Sequence, residues 1–199
     1  SLSRYFREWD LEGNINVRTG IMMTPYLPLR NILRGMEIGF NNNEIRIDSL
    51  KFLSGTSQIA AKGSLSGLRR ALLGRGTYKL DLDVTSDKMD ADELLSALNA
   101  GAAFNPDTTD MSEATDAEFL QMVVADSLSS DEPQRLIVVP ANVNADISLN
   151  ARNISYAGLE IASLSTDIVM KERCMQILNS SVVTNVGKGT FEGFYATRT

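Results

Sequence analysis

The sequence predicts a mainly β protein: an antiparallel sheet interrupted by a helical insertion, α+β overall. Three observations carry this. Apolar and polar residues alternate over most of the chain, as in "YKLDLDV", where Tyr78, Leu80, Leu82 and Val84 are interleaved with Lys79, Asp81 and Asp83. Gly-Asn, Asn-Asn-Asn and Ser-Gly clusters separate the alternating runs and favour tight turns. Residues 89–134 hold eleven acids and no base, and their apolar residues fall at helical spacing. Strands with one apolar and one polar side suit antiparallel sheets covered on one face. Short connections between them argue for a meander rather than crossover units.

The elements follow in order. "LEGNINVRT" places Leu11, Ile15 and Val17 on one face, and "LPLRNILRG" is a candidate short helix stopped by Gly35. "GMEIGF" alternates Met36, Ile38 and Phe40. "EIRIDSLKF" carries Ile45 and Ile47, then Leu50 and Phe52, with a parity break near Asp48-Ser49 that a β-bulge would produce. "SQIAAKGSL" continues through Ile59, Ala61 and Leu65. These runs and residues 78–84 make a first strand set within residues 1–88. In the insertion, 89–134, "MDADELLSALNAG" offers Asp90 or Asp92 as N-cap, Leu94, Leu95 and Leu98 on one side, and Gly101 as a stop. "TDAEFLQMVVADSL" starts a second helix with Thr115 and Glu118 as a capping box. The second strand set, 135–199, reads Val143, Ala145, Ile147 and Leu149, then Leu159, Ile161, Leu164, Ile168 and Met170. All 199 residues are expected to form one domain.

Composition narrows the function. With 43% apolar residues the chain can bury a core. No run approaches the roughly 20 apolar residues of a membrane helix, and no basic segment followed by an apolar one marks a signal peptide. The chain starts without Met, so a fragment of a longer protein is expected. The absence of histidine removes the commonest general base and a common metal ligand. The single cysteine, Cys174, lies between apolar neighbours and reads as a small buried hydrophobe. An enzyme is not expected, nor any cofactor or metal. Outside the acidic block the chain is net basic, but without the clustered bases and stacking aromatics of a nucleic-acid interface.

Several motifs invite chemistry. Lys62, Gly63 and Gly67 match Lys188, Gly189 and Gly193 at an offset of 126 residues, which reads as weak repetition of a strand pair. "VGKGT" suggests a phosphate loop, but that pattern needs a glycine where Val182 stands. Glycine within a strand permits a bend or close approach, with Lys62 and Lys188 on the exposed side. Asp81 and Asp83 share a strand face with Lys79, as on a solvated surface, and the acidic block lacks the calcium-loop pattern. Asn153 and Asn179 head short glycosylation-type triplets. The repeated apolar face itself is either plain core or, on a long curved sheet, an open trough suited to acyl chains.

"NEIRIDSLKFLSGTSQIAAKGSLSGL" resembles the strand–turn–strand unit of AsmA-like proteins, and "LEIASLSTDIVMKERCMQILNSSVVTNVGKGTFEGFYATR" resembles a later unit of such chains in Bacteroides-type bacteria. The likeness covers about residues 9–86 and 136–199; the acidic block has no counterpart. The resemblance implies a Gram-negative envelope protein anchored in the inner membrane, with an elongated, taco-like β groove in the periplasm. It implies a non-enzymatic role in outer membrane assembly, by binding or conducting phospholipid or another envelope lipid. The expected groove residues are Ile45, Ile47, Phe52, Ile59, Leu80, Leu82, Ile147, Leu149, Leu159 and Ile161. The alternative is a scaffold that docks envelope assembly proteins through residues 89–134 and carries no lipid.

Overall fold

The computed structural model describes residues 11–24, 27–69, 76–103 and 143–196. Its strands are β1 (Glu12–Val17), β2 (Gly20–Thr24), β3 (Leu27–Asn41), β4 (Glu44–Ser54), β5 (Ser57–Ser66), β6 (Tyr78–Asp90), β7 (Val143–Tyr156), β8 (Leu159–Lys171), β9 (Cys174–Thr184) and β10 (Lys188–Ala196). The helix α1 (Ala91–Ala103) follows β6. All ten strands join one sheet in the order β1-β3-β4-β5-β6-β7-β8-β9-β10, with β2 pairing β3 beside β1. The sheet is long, mainly antiparallel and not closed into a barrel. The second predicted helix lies outside the described residues.

Two-residue turns set much of the register. Gly55 opens the β4–β5 turn at φ 55°, and Ser54 pairs with Ser57 across it. Ala157-Gly158 and Glu172-Arg173 close the next hairpins with positive φ at both positions, as the twist of the flanking strands favours. Between β3 and β4, the Asn41 side chain accepts from the amides of Asn43 and Glu44, both at 2.9 Å. The expected bulge is present. Glu37 pairs with Ser49 and Ile38 with Ile47, leaving Asp48 extra. Asp48 takes Arg46 as a partner at 2.8 Å, and that hydrogen bond lowers its carboxyl pKa.

Three expectations are corrected. "LPLRNILRG" is strand, because Asn31, Ile32 and Leu33 pair with Ser54, Leu53 and Phe52; sheet pairing outweighs the helix propensity of Leu and Arg. The sheet is not a pure meander: β6 and β7 run parallel, Tyr78 meeting Val143 and Asp90 meeting Ser155, so residues 91–142 form a crossover. Gly101 does not stop α1, which continues to Ala103. Asp90 is the N-cap, its carboxylate accepting from the Glu93 amide at 2.9 Å.

Among the described residues, a second layer is formed by α1, which packs on β3 and β7. The buried apolar residues among those described are few and mostly small: Ala61, Ala97, Ala100, Ala145, Ala151 and Ile154. Cys174 is half-buried at the start of β9 rather than sealed in a core.

Candidate functional site

The registers of the strand pairs line up an apolar row from one sheet edge to the other. Ile15 meets Ile38, Ile38 meets Ile47, and Ile47 meets Gly63. Gly63 meets Leu82, Leu82 meets Ile147, and Ile147 meets Ile168. Ile168 meets Ile177, which meets Gly193 on β10. A flanking row runs Phe40, Ile45, Leu65, Leu80, Ala145, Met170, Met175 and Tyr195. Directly opposed residues share a face, and the period of two carries that face along each strand.

Bulges keep the rows in phase. In β9, Asn179 adopts φ 51° and puts Ile177 and Ser180 on the same face although they are three apart. In β7, Asn153 at φ 49° does the same for Ala151 and Ile154. Their side-chain amides are engaged: Asn153 donates to the Asp87 carbonyl at 2.9 Å and Asn179 to the Asp167 carboxylate at 2.8 Å.

All ten expected groove residues fall on this one face. Ile47, Leu82 and Ile147 sit in the central row, Ile45 and Leu80 in the flanking one. Phe52 opposes Ile59, Leu149 opposes Val84, and Ile161 opposes Ile154. Leu159 stands at the rim opposite Tyr156, 63% exposed. The others are half-buried.

One end of the face is covered. The four largest fully buried side chains, Ile154, Asn31, Ser54 and Ser57, all lie near the β4–β5 and β7–β8 turns. There α1 packs with Ala97 and Ala100 buried. Its first turn ties both hairpins: Glu93 accepts from the Thr56 amide and hydroxyl, each at 2.9 Å, and Asp92 accepts from the Ala157 amide at 2.7 Å. The Ser57 hydroxyl accepts from the Asp90 amide at 2.9 Å. Asn31 Oδ1 and Ser54 Oγ, facing one another across β3–β4, are buried without a hydrogen-bond partner. Sequence reading missed this polar end of the row, whose only signal was Asn and Ser at apolar-phase positions.

The opposite face is polar. Asp81 pairs with Lys79 at 3.2 Å, as expected of a solvated surface. Asp81, Asp83, Asp146 and Asp167 line a cleft of about 480 Å³ across β6–β8. Hydrogen bonds from Asn179 and Ser148 hold the Asp167 carboxyl below its ordinary pKa. Among the described residues no group of carboxylates or thiols is arranged to hold a metal ion, and no helix is long and apolar enough to cross a membrane.

The two Lys-Gly motifs occupy different places in their hairpins. Gly63 lies deep in β5 at φ 150°, where a Cβ would run into the Asp81 carbonyl oxygen. Gly189 is the second residue of β10, with Val182 Cγ1 at 3.4 Å from a Cβ placed there. "VGKGT" is the β9–β10 turn and first residues of a strand, closed by a 2.8 Å bond from the Thr184 amide to the Gly187 carbonyl. A phosphate loop would lead into a helix. Comparison with protein-family models, curated proteins and solved structures found no match.

Proposed function

We propose that this chain is a non-enzymatic module of a Gram-negative cell envelope, acting on the periplasmic side in outer membrane assembly by binding or conducting lipid along its apolar sheet face. The observation that carries the reading is the central row: across nine strands it holds seven aliphatic side chains, with glycine at Gly63 and Gly193, and they are half-buried or exposed rather than sealed. Such a surface suits acyl chains because burial of methylenes is non-directional and needs no matching polar group. The AsmA-like resemblance of the strand units supports the same reading.

Native mass spectrometry after gentle purification should show bound phospholipid, and the protein should take up a fluorescent phospholipid. Ile147→Glu, mid-row, should cut uptake at least tenfold with the circular dichroism spectrum retained. Leu159→Glu, at the exposed rim, should cut it less. An apo spectrum together with no uptake would sink the reading. One observation favours docking of envelope proteins instead: Leu95 and Leu98 of α1 point outward, 43% and 48% exposed. On that reading Leu95→Ser with Leu98→Ser abolishes partner capture and leaves lipid uptake unchanged.

A further inference from the structure

The polar face carries a second cleft, of about 520 Å³, over β3–β6. Leu53, Gln58 and Thr85 are among its lining residues, the last two carrying hydrogen-bonding groups. Arg34 and Lys51 line one side. The register places them together: Lys51 opposes Gly35, and the extra residue in β3 beside that pair is Arg34. Row neighbours add charge of the same sign, since Lys88 opposes Gln58 and Arg30 lies two residues from Ile32, which opposes Leu53. All four cations are exposed, and none has a carboxylate partner among the described residues. Asp87, the one carboxylate among the described lining residues, is paired with Arg152 at 2.6 Å.

A concentration of unpaired positive charge is unfavourable to itself and is relieved by a bound anion. Arg presents a planar fork to phosphoryl or carboxylate oxygens, and Lys a point charge beside it. The contrast lies on the same face, where the β6–β8 cleft gathers four aspartates. An anion approaching the polar face is repelled from one cleft and drawn to the other.

We propose that the Arg34–Lys51 cleft is an anion site that takes a phosphoryl group. Gln58 and Thr85 donate to its oxygens, and Leu53 is an apolar contact for whatever the phosphoryl group is esterified to. Phe52 and Ile59, two of the ten groove residues, also line this cleft, but the test variant changes neither, so the site is tested separately from the proposed function.

The test has two arms on the whole chain. In the first, inorganic phosphate is titrated and backbone amide shifts are followed. In the second, co-sedimentation with phosphatidylglycerol vesicles is compared with phosphatidylcholine vesicles, at low and at raised salt. Arg34→Gln with Lys51→Gln is the test variant. Arg46→Gln, whose side chain is committed to Asp48 elsewhere on this face, is the control. Saturable shifts at residues 34, 51, 58 and 85, weakened at least fivefold in the double variant but not in the control, support the site. Added sedimentation with the anionic vesicles, lost in the double variant and with salt, identifies the source as a lipid headgroup. Shifts without sedimentation identify a soluble phosphate. Absence of shifts at these residues, or equal shifts in the double variant, overturns the proposal.

Discussion

Ile154 and Ile15 lie on the same apolar face, yet Ile154 keeps 2% of its surface exposed and Ile15 keeps 46%. The first sits at the end where α1 packs; the second sits on β1 at the far edge of the central row. Pairing of strands builds the face, but only a second layer seals it. Removing apolar atoms should therefore cost stability in proportion to that cover. Ile154→Ala should lower unfolding free energy by about 3 to 4 kcal/mol, and Ile15→Ala by about 1 kcal/mol or less, measured by denaturant midpoints. Equal losses would show that the rest of the face is covered as well.

The two Lys-Gly hairpins allow a second comparison. Gly63→Ala should cost about 3 kcal/mol, since both φ and the neighbouring Asp81 carbonyl oppose a side chain. Gly189→Ala should change stability by about 0.5 kcal/mol or less, with no positive φ and only ordinary contact at Val182. Similar losses at the two sites would restore their structural equivalence. The hairpin turns differ in the same way: the β7–β8 turn places Gly158 at one of its two left-handed positions, while the β8–β9 turn has Glu172 and Arg173 at both. Glu172→Asn, which gives up only an exposed 3.9 Å ion pair with Lys171, should stabilise the protein by about 0.5 kcal/mol, read as a raised melting temperature.

The smallest expected effect concerns Asp167. Hydrogen bonds from Asn179 and Ser148 depress its folded-state pKa below that of an ordinary aspartate. The unfolded chain therefore binds the proton more tightly, and the contribution is present above the unfolded pKa and lost as pH falls through the folded one. Asn179→Gly keeps the positive φ but removes the donor. Melting temperatures followed below about pH 4 should fall less steeply in that variant than in the parent. An identical acid limb would show that the bond does not couple to folding.

Much of the sheet was legible because coverage of one face enforces a period of two, and ten groove residues chosen by that period fall on one face. The Asp48-Ser49 bulge was legible because it breaks the period between Ile47 and Leu50. The same device misled at β3. The extra residue at Arg34 leaves Leu29, Leu33 and Met36 spaced by four and three, which mimics a helix. The parallel pairing of β6 with β7 was hidden, because a crossover leaves no local signature in strands of ordinary alternation. The Arg34–Lys51 cleft was hidden too, since its residues become neighbours only through registers between separate strands.

That parallel pairing also sets an order of events in folding. Strands β3 to β5, and β7 to β10, are joined by connections of two or three residues, and β5 to β6 by eleven, so their contacts close small loops and can form early. Joining β6 to β7 requires closure of the whole stretch from Ala91 to Asn142 before the first rung yields any return. The seam should then be the last part of the sheet to zip and the first to part under force. Two separately made pieces, one ending within residues 104–142 and one beginning there, should reassemble along it.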